Sequence, residues 1–349
     1  MSQVVVRKIF PLADEIAVRV GKLMLLLLLT YTKVSTIPSS NCDCALRLVF
    51  CFLLDVHLSH KYEDLEMSEK YKSGEIRLER RSNEYWRVTF DIPPLNIFGP
   101  ANIPQLEEIV SLLESDDRVK VVVFDSAVEG FFLTHYDFLA KPEESAKFPL
   151  GHTGLQALPD MLARLSRASV VSIASIRGRA TGVGSELALA SDMRFASRER
   201  AVLSQWEVGA ALVPGGGPMA RLPRLVGRGR ALEVLLGADD VNGDIAELYG
   251  YVNRSLPDNQ LDAFVDALAR RISTFDRQAI AETKRLVNLN SLPSDAEIEP
   301  EWNAFIASLG RPAAQARLRA LFEQGFHKPG DVENRLGYHV GALGSVGEV

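Results

Sequence analysis

Two stretches decide how this chain reads: Ile176-Arg-Gly-Arg-Ala-Thr-Gly-Val-Gly-Ser-Glu186-Leu-Ala-Leu-Ala-Ser-Asp192, and Gln205-Trp-Glu207-Val-Gly-Ala-Ala-Leu-Val-Pro-Gly215-Gly-Gly217. A bare glycine turn followed by an apolar helical run aims unpaired N–H groups at an anionic oxygen in front of it. Glu186 and Glu207 stand close to such turns and supply groups that move protons. Backbone donors with a carboxylate pair suit a reaction that passes through an enolate and needs both an acid and a base.

Upstream, Ile76 and Leu78, then Trp86, Val88 and Phe90, alternate with polar residues around Arg81-Ser-Asn-Glu84, the pattern of a hairpin that Pro93-Pro94 ends. Leu106, Ile109, Val110 and Leu113 recur at helical spacing, and Val119 to Phe124 is a short β-branched run, so a helix precedes a buried strand. Leu155 to Leu165 and Val170 to Ile176 repeat that unit. Between them, residues 140 to 153 lack periodicity and read as a loop. Strand, helix, strand in this order predicts an α/β fold with parallel pairing and crossover helices. Beyond Gly217 the pattern is helical as far as Gly325, and a polar tail follows.

The chain has 349 residues, 47% of them hydrophobic, and a formal net charge of −6. That composition supports a real core, and its scattered basic residues offer no footprint for nucleic acid. The only cysteines are Cys42, Cys44 and Cys51. Their spacing is poor for zinc, so no metal is expected, and no disulfide framework is available to the main body. Leu23 to Leu29 and Leu46 to Leu54 are each too short to cross a bilayer. Residues 1 to 66 therefore read as an atypical extension or a mispredicted start, 67 to 260 as the core, and 261 to 349 as a helical region. The tail Gly-Glu-Val is not a peroxisomal ending; a cytoplasmic location is expected, with a mitochondrial one as the alternative.

From Ile76 to Val287 these motifs, in order, resemble those of the crotonase superfamily, the enoyl-CoA hydratase and isomerase family. The resemblance implies a ββα superhelical core with a C-terminal helical trimerisation region. It further implies an acyl-CoA substrate, no cofactor beyond the coenzyme A of that substrate, and a homotrimer or dimer of trimers. The thioester oxygen would lie between the N–H groups of Thr134 and Val183. Glu186 would help to activate a water for attack at C3, and Glu207 would deliver a proton to C2. Gly215 would bring its backbone to the reacting group. Thr134-His135-Tyr136 stands where the family usually has Ala-Gly-Ala, Val183 replaces a glycine, and Trp206 stands where proline is common, which puts bulk near the acyl pocket.

Plainer roles exist for several of these residues. Glu186 alone fits a helix-dipole acid, and Glu207 fits an exposed acid at a strand end. His135 is open to two readings, a proton donor in the pocket or a loop histidine paired with Asp137. Asp192 reads as structural. A dinucleotide fold is excluded because Gly182-Val-Gly184 lacks the third glycine, and Ser185 lacks the frame of a hydrolase nucleophile. The expected activity is addition of water to a 2-enoyl-CoA thioester, or its removal. The alternatives are double-bond isomerisation, another lyase of secondary metabolism, and a non-catalytic protein of the same fold.

Overall fold

Alternation builds the opening hairpin as expected. β1 (Ile76–Arg80) and β2 (Tyr85–Phe90) pair antiparallel, Ile76 opposite Phe90 and Arg80 opposite Trp86, and they bury Ile76, Leu78, Trp86, Val88 and Phe90 at a period of two. In this computed structural model residues 74 to 344 are described; the extension expected over 1 to 66 lies outside the described residues. α1 (Ile103–Ser115) turns Ile103, Leu106, Ile109, Val110 and Leu113 to the core at helical spacing. β3 (Val121–Ser126) then lies parallel to β2, and its first four residues are buried, as a strand covered on both faces requires.

From β3 the chain repeats a unit of two strands and helix. β3 leads to β4 (Phe131–Leu133), the short α2 (Pro142–Ala146) and α3 (Ala157–Arg167). β5 (Val171–Ile176) leads to β6 (Arg179–Thr181) and α4 (Val183–Ala190). β7 (Met193–Ser197) leads to β8 (Val202–Ser204), a single 3-10 turn (Glu207–Ala210) and α5 (Pro218–Val226). α6 (Arg228–Gly237), β9 (Val241–Asn242), α7 (Gly243–Tyr249) and β10 (Arg254–Leu256) complete the core. The first strand of each repeat enters a six-stranded sheet ordered β1-β2-β3-β5-β7-β10, and the second enters a four-stranded sheet ordered β4-β6-β8-β9. Each repeat thus advances one place in both sheets, which is a ββα superhelix.

The structure departs from the sequence reading in three places. Residues 140 to 153, expected to be loop, contain α2. Arg254–Leu256, inside a stretch expected to be helical, pairs parallel with β7 and extends the larger sheet. The strands of the smaller sheet, three residues or fewer each, are too short for alternation to announce them.

The smaller sheet positions the site. β4, β6 and β8 run parallel, so their C-terminal ends lie on one side, where the chain continues into Thr134–Tyr136, Gly182–Val183 and Gln205–Glu207. The start of α4 is drawn against the segment after β4: the Gly184 N–H donates to the Thr134 carbonyl at 3.0 Å, and a β-carbon on Gly184 would overlap the Leu133 carbonyl.

Six helices follow among the described residues: α8 (Asp258–Ser273), α9 (Arg277–Ser291), α10 (Asp295–Leu309), α11 (Pro312–Gln324), α12 (Asp331–Asn334) and α13 (Leu336–Ala342). Leu318, Leu321, Phe326 and Val340 from this region share a core cluster with Trp206 and Leu212. α9 buries none of its residues. Among the described residues no helix is long and apolar enough to cross a membrane.

The Gly184 contact gives a paired test. Gly184→Ala should lower stability by about 2 kcal/mol or more through overpacking against backbone. Gly229→Ala in α6, where a β-carbon meets nothing within 4 Å, should raise it by about 0.5 kcal/mol. Thermal melts read both; equal melting of Gly184→Ala and wild type would remove the constraint.

Candidate active site

Gly182 opens the site. Its φ of 52° suits glycine, and a β-carbon there would stand 3.0 Å from Glu207 Oε1 and 3.2 Å from Trp206 Nε1. α4 begins with the next residue, and Glu186 lies in its first turn. Only 4% exposed, Glu186 accepts at Oε1 from the Gly216 N–H at 2.7 Å. The Gly216 carbonyl in turn accepts from Arg221 Nη1 at 2.8 Å. Arg221 is buried too, and Glu301 of α10 closes the group by accepting from the Ala220 and Met219 N–H groups at 2.6 and 3.1 Å.

Glu207 is no exposed strand-end acid. It is the first residue of the 3-10 turn, 6% exposed, and its Oε2 is buried without a hydrogen-bond partner. Burial disfavours a carboxylate's charged form. Burial pushes Glu186 up to about 7, against the Gly216 N–H and the Arg221 charge, which favour ionisation. Burial pushes Glu207 well above the ordinary range, and the Glu186 charge adds to the effect. Near neutral pH burial therefore favours the pair keeping a proton between them, and Glu207, whose Oε2 has no donor, is the member that burial favours as its holder. This is an acid and a base side by side.

A cavity of about 30 Å³ lies between them, lined by Glu186, Glu207, His135, Tyr136, Val183 and Trp206, with Gly215 and Gly216. That is room for a water or two. α10 closes its outer wall with Trp302 and Phe305. Gly215 packs so closely on Phe305 that a β-carbon there would stand 2.9 Å from Phe305 Cβ. A larger cavity of about 730 Å³ runs between α9 and the end of α4. It holds neither glutamate, so its size does not make it the site of proton chemistry.

The expected backbone donors fare differently. Val183 is the first residue of α4, where N–H groups lack partners within the helix, and it lines the cavity. The Thr134 N–H is engaged, donating to the Asn96 carbonyl at 2.9 Å. The better-placed group is two residues on. Phe98 bonds to His135 O and Asp137 N at 3.1 and 2.8 Å, a parallel bridge opposite Tyr136; Tyr136 consequently turns its own N–H away from Phe98, and it lines the cavity.

Neither reading of His135 holds. Its Nε2 lies 3.1 Å from both carboxylate oxygens of Glu333, and its Nδ1 lies 2.9 Å from the Tyr136 carbonyl oxygen. Both ring nitrogens are thereby occupied, which leaves none to serve a substrate. His327, not His135, is the histidine beside Asp137, at 3.5 Å. Trp206 is fully buried and packs edge-on to His135, Phe138 and Phe326, forming a wall. Asp192 is structural, as expected: it accepts from the Ser172 N–H and pairs with Lys284 at 2.7 Å.

Sequence reasoning missed the Tyr136 N–H at the cavity, Gly216 as the partner of Glu186, and Glu301, Phe305 and Glu333 altogether. The first two were two residues and one residue from positions that were named. The last three belong to C-terminal helices far along the chain, and no local pattern marks them. Among the described residues no three His, Cys, Asp or Glu side chains are grouped to hold a metal.

Residues 80 to 301, more than half of the chain, match the enoyl-CoA hydratase/isomerase family. The mitochondrial enoyl-CoA hydratase domain-containing protein 2 of Mus musculus is 34% identical over 165 residues, 47% of this chain and 55% of that protein, so the match spans about half of that relative. Its Bos taurus counterpart is 30% identical over 220 residues, covering 63% of this chain and 72% of its own. A crystal structure of a candidate enoyl-CoA hydratase from Streptomyces avermitilis superposes with a TM-score of 0.73 and 40% identity, over 77% of this chain and 97% of that one. The matched stretch contains the whole two-sheet repeat and both buried glutamates, and the chain belongs to the enoyl-CoA hydratase/isomerase family of the crotonase superfamily.

Proposed function

We propose that this protein adds water to a 2-enoyl-CoA thioester, or removes it in the reverse direction. One observation carries the reading: two buried glutamates of unequal acidity share a water-sized cavity. In the hydration direction Glu186, the more acidic member, takes a proton from water as the water oxygen bonds to C3. The electron pair of the double bond moves toward the thioester oxygen, which the Tyr136 and Val183 N–H groups receive. Glu207 then gives its proton to C2 as the enolate collapses. Donors of this kind are worth about 2.7 to 4 kcal/mol each in comparable sites.

The acyl group enters by displacing Trp302 and Phe305, the two large side chains that α10 contributes to the cavity wall. Names of the relatives support a CoA thioester as substrate, and the mammalian names, being those of mitochondrial proteins, support the mitochondrial alternative. α9, with no buried residue and with Leu286, Val287 and Leu289 exposed, supports assembly of copies, as a homotrimer or a dimer of trimers.

Glu186→Gln and Glu207→Gln should each lower turnover of crotonyl-CoA by about 10²- to 10⁴-fold, the usual worth of a positioned acid or base. Oxygen-18 from labelled water should appear at C3 of the product. Product without that oxygen, but with a moved double bond, would make the enzyme an isomerase, and wild-type turnover in both variants would remove the acid–base pair.

The same carboxyl gives a stability test. Glu186 is raised in the fold, so the folded state holds its proton more tightly than the unfolded chain does; stability is full below about pH 4.5 and falls as pH rises through about 7. Glu186→Gln abolishes that loss. The variant should match wild type at pH 4.5 and exceed it at pH 8 by on the order of 2–3 kcal/mol, read from denaturant melts at the two pH values. An equal difference at both would contradict the buried-acid account.

A further inference from the structure

The segment after α11 reaches the site. Gly325, at φ 114°, ends the helix, and the chain then lays Phe326 against the His135 ring at 4.4 Å and His327 at 4.8 Å. Glu333 of α12 is 2% exposed and His135 is 1% exposed. Glu333 Oε1 accepts from the His327 N–H at 2.7 Å, and both of its oxygens lie 3.1 Å from His135 Nε2. On the far side of the same ring, Nδ1 meets the Tyr136 carbonyl at 2.9 Å. Both nitrogens thus face groups that only accept, a carboxylate and a carbonyl, and both are satisfied when the ring carries two protons and Glu333 is ionised.

We propose that Glu333 is a positioning residue for the thioester-oxygen donor: through His135 it holds the Tyr136 carbonyl, which is joined to the donor N–H through the Tyr136 Cα, while the Phe98 N–H holds the His135 carbonyl on the donor's own peptide, and together they fix the Tyr136 N–H in place. This rests on the hydratase reading given above. The chain of contacts runs from the carboxylate of α12, across the imidazole, to the main chain of the donor residue itself. A wall that only filled space would be served as well by apolar side chains, since a buried ion pair is a poor way to gain stability. Here each member of the pair also holds main chain: Glu333 Oε1 the His327 N–H at one end and His135 Nδ1 the Tyr136 carbonyl at the other. Burial works to raise the Glu333 carboxyl, yet the His135 ring and the His327 N–H prevail and hold it below the usual carboxylate range. It is thus ionised wherever the enzyme would work. His327, pushed down to about 3 by burial and by its neighbour His135, stays neutral and does not compete for the carboxylate.

The test uses the full chain, crotonyl-CoA for turnover, and the carbonyl stretch of bound butyryl-CoA as a direct reading of hydrogen bonding at the thioester oxygen. Glu333→Ala should lower kcat about 10- to 100-fold with KM changed less than about threefold, because a small misplacement of a group near the reacting atoms has that effect. It should also reduce the downward shift of the carbonyl band. Glu333→Gln retains shape but presents an amide N–H toward His135 Nε2, and should fall between the two in both readings. Should Glu333→Ala fail to fold, Glu333→Gln alone decides. Wild-type kcat and a wild-type band in either folded variant would overturn the proposal. A wild-type protein that neither turns over crotonyl-CoA nor binds butyryl-CoA would instead sink the hydratase reading, whatever the variants do.

Discussion

The approach of α4 to the end of β4 is the contact on which the site depends. A helix start can meet a neighbouring strand this closely only where no side chain intervenes, and Gly184 supplies that gap against Leu133. The hydrogen bond from the Gly184 N–H to the Thr134 carbonyl then sets the depth of the helix. Two consequences follow from one geometry. The free N–H of Val183 is brought opposite the segment that carries Tyr136, and Glu186, in the first turn, comes to the cavity floor. Neither group reaches the cavity if the helix retreats by the width of a methyl group.

Holding acids in that place is costly, and the structure shows how the cost is met. Three carboxyls, Glu186, Glu207 and Glu301, are buried, and the one guanidinium among them, Arg221, faces Glu186 and Glu301 but is no partner of Glu207. A single positive charge cannot stabilise three negative ones in a medium of low dielectric, so protons must take up the difference. The distribution is not arbitrary. Glu186 and Glu301 receive backbone N–H groups and both sit near 7, whereas Glu207 has an oxygen with no donor and stays protonated further. Unequal solvation by the main chain is what separates base from acid when the side chains are chemically identical.

How much of this was legible depends on how far apart the cooperating residues are in the chain. The larger sheet announced itself, because Trp86, Val88 and Phe90 alternate and Val121 to Phe124 are uniformly apolar. So did the pair Glu186 and Glu207, since glycine turns flank them within a few residues. The strands of the smaller sheet did not, because three residues such as Arg179–Thr181 carry no period, and their pairing is decided by neighbours many residues away. The donor at Tyr136 was displaced by two positions for a related reason. Which N–H of a segment is free depends on which ones Asn96 and Phe98 have already taken, and that is a property of tertiary contact, invisible to spacing.

The bulk of His135 and Trp206 looked, in sequence, like an obstruction to the acyl pocket. In the fold it is the foundation of one wall. A residue whose N–H faces a substrate points its side chain elsewhere, and the side chains around Tyr136 point into the C-terminal region, where Phe326, His327 and Glu333 receive them. Large residues are then tolerable at the donor segment on condition that a distant part of the chain is shaped to meet them. The closure of the pocket comes from a different element, α10, whose Trp302 and Phe305 face Gly215 and the cavity. On the proposed hydratase reading, donor geometry and acyl space fall to separate C-terminal elements, α12 and α10, so a change of acyl specificity through Trp302 or Phe305 need not disturb the aim of the backbone donors.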